Sequence, residues 1–114
     1  MNFKNLRAFA RVPVTLEGHL ITKDVTYAAS IKNISENGLS MQFCSTQNPV
    51  ILYAGSNLDI VLQISANEKL LLSGKKRWVN TVPTNKPYKQ IGIEITNPSL
   101  KYKKFVEAQI QTFK

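Results

Sequence analysis

Cysteine, histidine and tryptophan each occur once in these 114 residues. Cys44 has no intrachain thiol to pair with, which excludes a disulfide framework and a zinc knuckle built on cysteines. It reads as a small hydrophobe at a strand end. With His19 as the one histidine there is no histidine and cysteine cluster for zinc. The seven acidic residues form no acidic calcium loop and no pair that spacing marks as an acid and base couple. The five glycines include no glycine-rich phosphate loop. No apolar run approaches the roughly 20 residues of a membrane span, and the N-terminus through Arg7 lacks the uninterrupted apolar core of a signal peptide. These absences argue against an enzyme and point to a cytoplasmic binding module.

What is present fits one folded domain. The chain is 43% hydrophobic and 19% charged, without repeats or low-complexity tracts, and its length suits a single core. Its formal net charge of +8 favours an anionic partner. Most of that charge is lysine, enriched at Lys75-Lys76-Arg77 and at Lys101, Lys103 and Lys104, where a solvated face explains it. Arginine is scarce, with three copies, and two of these, Arg7 and Arg11, stand four apart near the N-terminus. A planar, bidentate guanidinium matches a guanine edge or a phosphate in a way that an ammonium does not.

Alternation with period two runs from Val12 to Ile95 and predicts a mostly antiparallel sheet closed on itself. Val12, Val14, Leu16 and Leu20 mark the first strand, and Thr22-Lys23-Asp24 the turn after it. The second strand has an apolar face of Val25, Tyr27, Ala29 and Ile31. Leu39, Met41 and Phe43 mark the third; Leu58, Ile60, Leu62 and Ile64 mark the fourth. A turn at Asn67-Glu68 leads into the fifth, Leu70 to Val79, with Gly74 read as a bulge or bend and Trp78 as core. After a loop at Pro83, Asn85 and Pro87, Ile91, Ile93 and Ile95 define the sixth. Cys44 to Asn57 reads as loop, with a short helix around Val50 to Tyr53. A terminal helix over about 97–113 follows, with Asn97 as cap, Pro98 in its first turn and a stripe of Tyr102, Phe105, Val106, Gln109, Ile110 and Phe113. Alternation by itself also permits an SH3-like or oligonucleotide-binding barrel.

The chemistry-bearing segments are Arg7-Ala8-Phe9-Ala10-Arg11 and Asn33-Ile34-Ser35-Glu36-Asn37-Gly38. Extended, the two arginines would stand about 13 Å apart; in a turn or helical hook their Cβ atoms approach to about 6 Å. Residues 1–11 are therefore expected to form a mobile arm that coils around an anionic ligand. Asn37-Gly38 between Ile34 and Leu39 predicts a type I′ hairpin, which explains these two residues without a ligand. Asn33 and Ser35 are not needed by that turn; two apart on a strand, they share a face and offer an amide oxygen and a hydroxyl.

These two segments resemble the RxxxR and (D/N)xSxxG motifs of the PilZ family, bacterial receptors for cyclic di-GMP. Val12-Pro13-Val14, Gly38-Leu39-Ser40-Met41, Ala54-Gly55 and Ile91-Gly92-Ile93-Glu94 are similar to its recurring framework, with Gly92 read as a packing glycine that admits a ring such as Trp78. The resemblance implies a six-stranded antiparallel β-barrel over residues 12–114 with a C-terminal helix. It implies no cofactor and a cyclic di-GMP site of Arg7, Arg11, Asn33, Ser35 and Gly38. Asn33 stands where aspartate is the commoner residue, which removes a charge but keeps the acceptor oxygen. An added cation before the first motif arginine would favour an intercalated ligand pair; Leu6 occupies that place, offers only apolar contact to a base, and favours one ligand per chain. The implied role is action in trans on a protein partner in motility, attachment or exopolysaccharide control. Two rivals are an adaptor of the same fold that binds no nucleotide, and a small basic barrel for single-stranded nucleic acid, for which only Trp78 beside Lys75 to Arg77 speaks.

Overall fold

A computed structural model describes residues 11–22, 25–44, 57–81 and 88–113. Six strands follow one another, β1 (Val12–Ile21), β2 (Thr26–Ser35), β3 (Gly38–Cys44), β4 (Asn57–Ser65), β5 (Glu68–Thr81) and β6 (Tyr88–Ile95), and a helix, α1 (Leu100–Phe113), comes last. Every pairing is antiparallel, and the order β1-β2-β3-β6-β5-β4 closes into a barrel. Closure of β1 on β4 leaves no free sheet edge among the described strands. The expected six-stranded antiparallel barrel with a C-terminal helix is thus present. The expected arm, apart from Arg11, lies outside the described residues, as do most of the Cys44 to Asn57 segment and the Pro83 to Pro87 loop.

The core follows from the period-two pattern. Leu20, Ile31, Ile34, Met41, Ile60, Leu62 and Ile91 are fully buried, joined by Phe43, Leu72, Ile93 and Ile95. Val25 departs from the expected apolar face: it precedes β2 and is exposed. Cys44 ends β3, exposed and free. The turn into β5 is centred on Ala66-Asn67, one residue earlier than predicted.

Two interruptions of the alternation matter most for function. In β2 the register against β3 shifts between Ile31 and Asn33. Strict alternation would send Asn33 and Ser35 to the face of Ile31, inside the barrel; the bulge at Lys32 instead turns Ile34 into the core and puts Asn33 and Ser35 in phase with the outer face, where Asn33 is half-buried and Ser35 buried. In β5 the register against β6 shifts between Lys76 and Trp78. Leu70 and Leu72 face inward, and Trp78 shares their even spacing, so without this bulge the indole would enter the core. The predicted bulge at Gly74 therefore falls a few residues later. At Gly74 itself β6 passes so close that a Cβ would stand 2.6 Å from the Glu94 carbonyl oxygen.

The helix starts later than predicted. Ser99 caps it: its Oγ accepts from the Tyr102 amide at 3.1 Å, and its carbonyl accepts from Lys103 at 3.0 Å. Asn97, the expected cap, instead has a φ of 50°, a left-handed conformation that asparagine tolerates, and turns the chain between β6 and α1. The predicted stripe faces the barrel from Tyr102 to Ile110, with Tyr102 and Val106 buried and Phe105 and Ile110 packed against the core; the Phe113 side chain lies outside what is described.

Candidate functional site

The Asn33 to Gly38 segment ends β2, turns at Glu36-Asn37 and begins β3, with Ser35 and Gly38 as the closing pair. The turn is not type I′, which needs positive φ at both central residues. Among the described residues Asn97 is the one non-glycine with positive φ, and Gly38 has no left-handed φ either. Bonds from the turn and from other elements hold this conformation instead. Ser35 Oγ donates within the turn, to Asn37 Oδ1 at 3.0 Å or the Gly38 carbonyl at 3.3 Å. The Ile95 amide donates to the Asn37 carbonyl at 2.9 Å. The Tyr102 hydroxyl donates to the carbonyls of Ser35, at 2.7 Å, and Gly38, at 3.2 Å. Gly38 is required for closeness: a Cβ there would lie 2.9 Å from the Ile93 carbonyl oxygen.

Register aligns a row of outer-face residues around this segment. Pro13 pairs with Asn33, Asn33 with Ser40, Ser40 with Gly92, and Gly92 with Trp78, so the row crosses five neighbouring strands. The indole of Trp78 lies directly over Gly92, where any Cβ would collide with its ring. This bears out the packing role expected of Gly92 and corrects the placement of Trp78, which is half-buried on the outer face rather than in the core. Ser40 is almost wholly buried, and its hydroxyl has no partner among the described residues.

An open recess of about 250 Å³ adjoins this row, lined by Arg11, Leu39, Arg77, Trp78, Gly92 and Ile93. Arg11 immediately precedes β1, whose Val12 pairs with Ile34 in the middle of the second motif. The structure therefore brings Arg11, Asn33, Ser35 and Gly38 to one end of the barrel, while Arg7 and Leu6 lie outside the described residues. Both arginines among the described residues open onto the same recess. Arg77 is paired with Glu94 at 3.1 Å, and both side chains are more than half exposed, so water screens the pair and it holds the guanidinium only weakly.

Trp78 and Arg77 were not among the predicted site residues. A signal for them exists: Lys76 continues the even-numbered inward face of Leu70 and Leu72, and a lysine at a core-facing phase marks a break in the alternation. Asn33 and Ser35, in phase with Ile31, carry the same mark.

A model of the PilZ domain matches residues 5–112. The chain belongs to the PilZ family. Solved PilZ structures share the fold at low identity. The PilZ domain of YcgR from Escherichia coli, determined with c-di-GMP, is 13% identical with a TM-score of 0.72, over 94% of this chain and 90% of that one. The complex of MrkH with c-di-GMP from K. pneumonia is 19% identical with a TM-score of 0.73, over 92% of this chain and 51% of that one. The motility inhibitor MotI (DgrA) of Bacillus subtilis is 12% identical with a TM-score of 0.74, over 93% of this chain and 50% of that one. This PilZ chain therefore spans about half the length of MotI and MrkH. No match is found among curated proteins. Both motif segments fall within the PilZ match, and no helix among the described residues is long and apolar enough to cross a membrane.

Proposed function

We propose that this PilZ chain is a cyclic di-GMP receptor without catalytic activity, holding the nucleotide with Arg7, Arg11, Asn33, Ser35 and Gly38 and signalling to a protein partner in trans. The observation that carries this reading is the convergence of Arg11, Arg77 and Trp78 on one recess, with Asn33 further along the same outer-face row, beyond Gly92 and Ser40. Guanidinium forks suit phosphates and guanine edges, an indole offers a stacking face, and an amide oxygen accepts from a guanine amino group. The recess is smaller than the roughly 300–1,000 Å³ of clefts that enclose a whole small molecule. It suits one base, with the remaining nucleotide lying across the outer face. Ser35 spends its proton inside the turn but keeps lone pairs with which to accept.

Calorimetric titration tests this reading. Cyclic di-GMP should bind in the micromolar range or tighter with one ligand per chain, while GTP and a single-stranded oligonucleotide bind far more weakly. Absence of heat with cyclic di-GMP would favour the nucleotide-free adaptor, and tight oligonucleotide binding the nucleic-acid barrel. Both would overturn the proposal.

Arg77 is proposed as a further anion contact, restrained by Glu94. Arg77→Ala should weaken cyclic di-GMP binding by about tenfold, since a charge-assisted contact contributes about 1.5–3 kcal/mol and release from Glu94 offsets part of it. Glu94→Gln should bind as tightly as wild type or up to about fivefold tighter, because it frees Arg77 and removes a negative charge facing the phosphates. Weaker binding by Glu94→Gln would show that the carboxylate orients Arg77 productively instead.

A further inference from the structure

The turn of the second motif is gripped from behind by the C-terminal helix through one hydroxyl. Tyr102 is fully buried, and its hydroxyl oxygen stands within donating distance of the carbonyls of Ser35, at 2.7 Å, and Gly38, at 3.2 Å, residues 67 and 64 positions earlier in the chain. These two residues form the closing pair of the hairpin, so the hydroxyl ties both strands of the turn together. The amide of the same tyrosine donates to the Ser99 cap. A single residue therefore links the start of α1 to the hairpin that carries Asn33, Ser35 and Gly38. Burial pushes the phenol above its ordinary pKa, which keeps it a donor throughout the neutral range.

We propose that Tyr102 is the positioning residue of the cyclic di-GMP site: it sets the carbonyl geometry of the Ser35 to Gly38 turn and makes α1 the element that responds when the turn is occupied. This inference rests on the reading of the chain as a cyclic di-GMP receptor. Its physical basis is the lack of slack. Ser35 and Gly38 cannot shift relative to β6 without also straining the Asn37 contact to Ile95, so a displacement of the turn pulls on Tyr102 and on the capped first turn of α1. A buried donor shared by two carbonyls cannot be replaced by water unless the helix lifts. The coupling is reciprocal: if occupying the turn shifts α1, a change that shifts α1 must alter affinity at the turn.

The test uses Tyr102→Phe, which keeps the ring and removes the hydroxyl, beside Val106→Ala, which loosens helix packing without touching the turn. In the ligand-free protein, amide hydrogen exchange at residues 36–38 should be about tenfold faster in Tyr102→Phe than in wild type, the loss expected for one buried hydrogen bond. It should be unchanged in Val106→Ala relative to the general loosening of α1. Cyclic di-GMP should alter exchange in the first turn of α1 of the wild type. In Tyr102→Phe it should protect the turn without affecting α1, with affinity weakened about tenfold. Wild-type exchange at residues 36–38 in Tyr102→Phe would overturn the positioning role whether or not the ligand binds. Equal responses of α1 in wild type and Tyr102→Phe, or equal effects of the two variants on the turn, would overturn the coupling. If the wild type fails to bind cyclic di-GMP, the receptor reading and the coupling both fall, and the ligand-free exchange still decides whether Tyr102 positions the turn.

Discussion

Arg11→Ala should weaken cyclic di-GMP binding by roughly tenfold to more than a hundredfold while leaving the melting temperature unchanged. A bidentate guanidinium contact to an anion contributes about 1.5–3 kcal/mol, and each 1.4 kcal/mol is a factor of ten. The fold has little stake in this side chain. Arg11 is exposed, precedes the first strand and opens onto the recess beside Trp78 and Gly92. Surface substitutions of this kind shift stability by no more than about 0.5 kcal/mol. Arg7→Ala, at the other end of the RxxxR motif, should behave alike. Calorimetry beside thermal melting separates the two effects. If both variants titrate like wild type, the motif arginines are not the binding residues and the proposed site is wrong. If one of them melts markedly lower, its arginine is part of the folded frame rather than a free ligand arm.

The barrel was legible because inward positions alternate with outward ones over most of each strand. Val12, Leu20, Leu39, Met41, Phe43, Leu58, Ile60, Leu62, Ile91, Ile93 and Ile95 all lie in phase with their strands and all are buried. The motif segments were legible through residue type, since arginine is scarce and Asn33 has no local task in a hairpin turn; Ser35, expected to be equally free of the turn, instead bonds within it, to Asn37 and Gly38. What alternation did not reveal were its own interruptions. A bulge adds one unpaired residue and reverses the faces beyond it, so the strict pattern assigns Trp78 to the core. The outer row of Asn33, Ser40, Gly92 and Trp78 exists because β2 and β5 each carry such a reversal. The turn type was misread for a different reason. Asn-Gly favours type I′ by local backbone preference, but bonds from Tyr102 and Ile95 come from residues distant in sequence and outweigh that preference. The helix cap moved from Asn97 to Ser99 because the chain must first turn away from β6, and Asn97 takes the left-handed conformation that this turn uses.

Gly38→Val should lower the melting temperature by roughly 5–15 °C and abolish binding as a consequence. The reason is not a left-handed backbone, since Gly38 has an ordinary φ. It lies in the pairing of β3 with β6: a Cβ at residue 38 would stand 2.9 Å from the Ile93 carbonyl oxygen, a backbone atom that cannot swing aside. Valine adds two methyl groups to that conflict, so the strands must separate at the point where Gly38 pairs with both Ser35 and Glu94. Forcing volume into a closed contact costs about 1–3 kcal/mol, and a domain of this size loses several degrees for each kcal/mol. The damage should reach the site directly, because the carbonyl of Gly38 accepts from Tyr102 and closes the turn against Ser35. Gly38→Ala separates steric from conformational requirements. With an ordinary φ, alanine should cost less than valine in proportion to its smaller volume, and a graded fall in melting temperature from glycine through alanine to valine is the expected result. Equal destabilisation by alanine and valine would mean that backbone conformation, not the approach of Ile93, makes glycine necessary here.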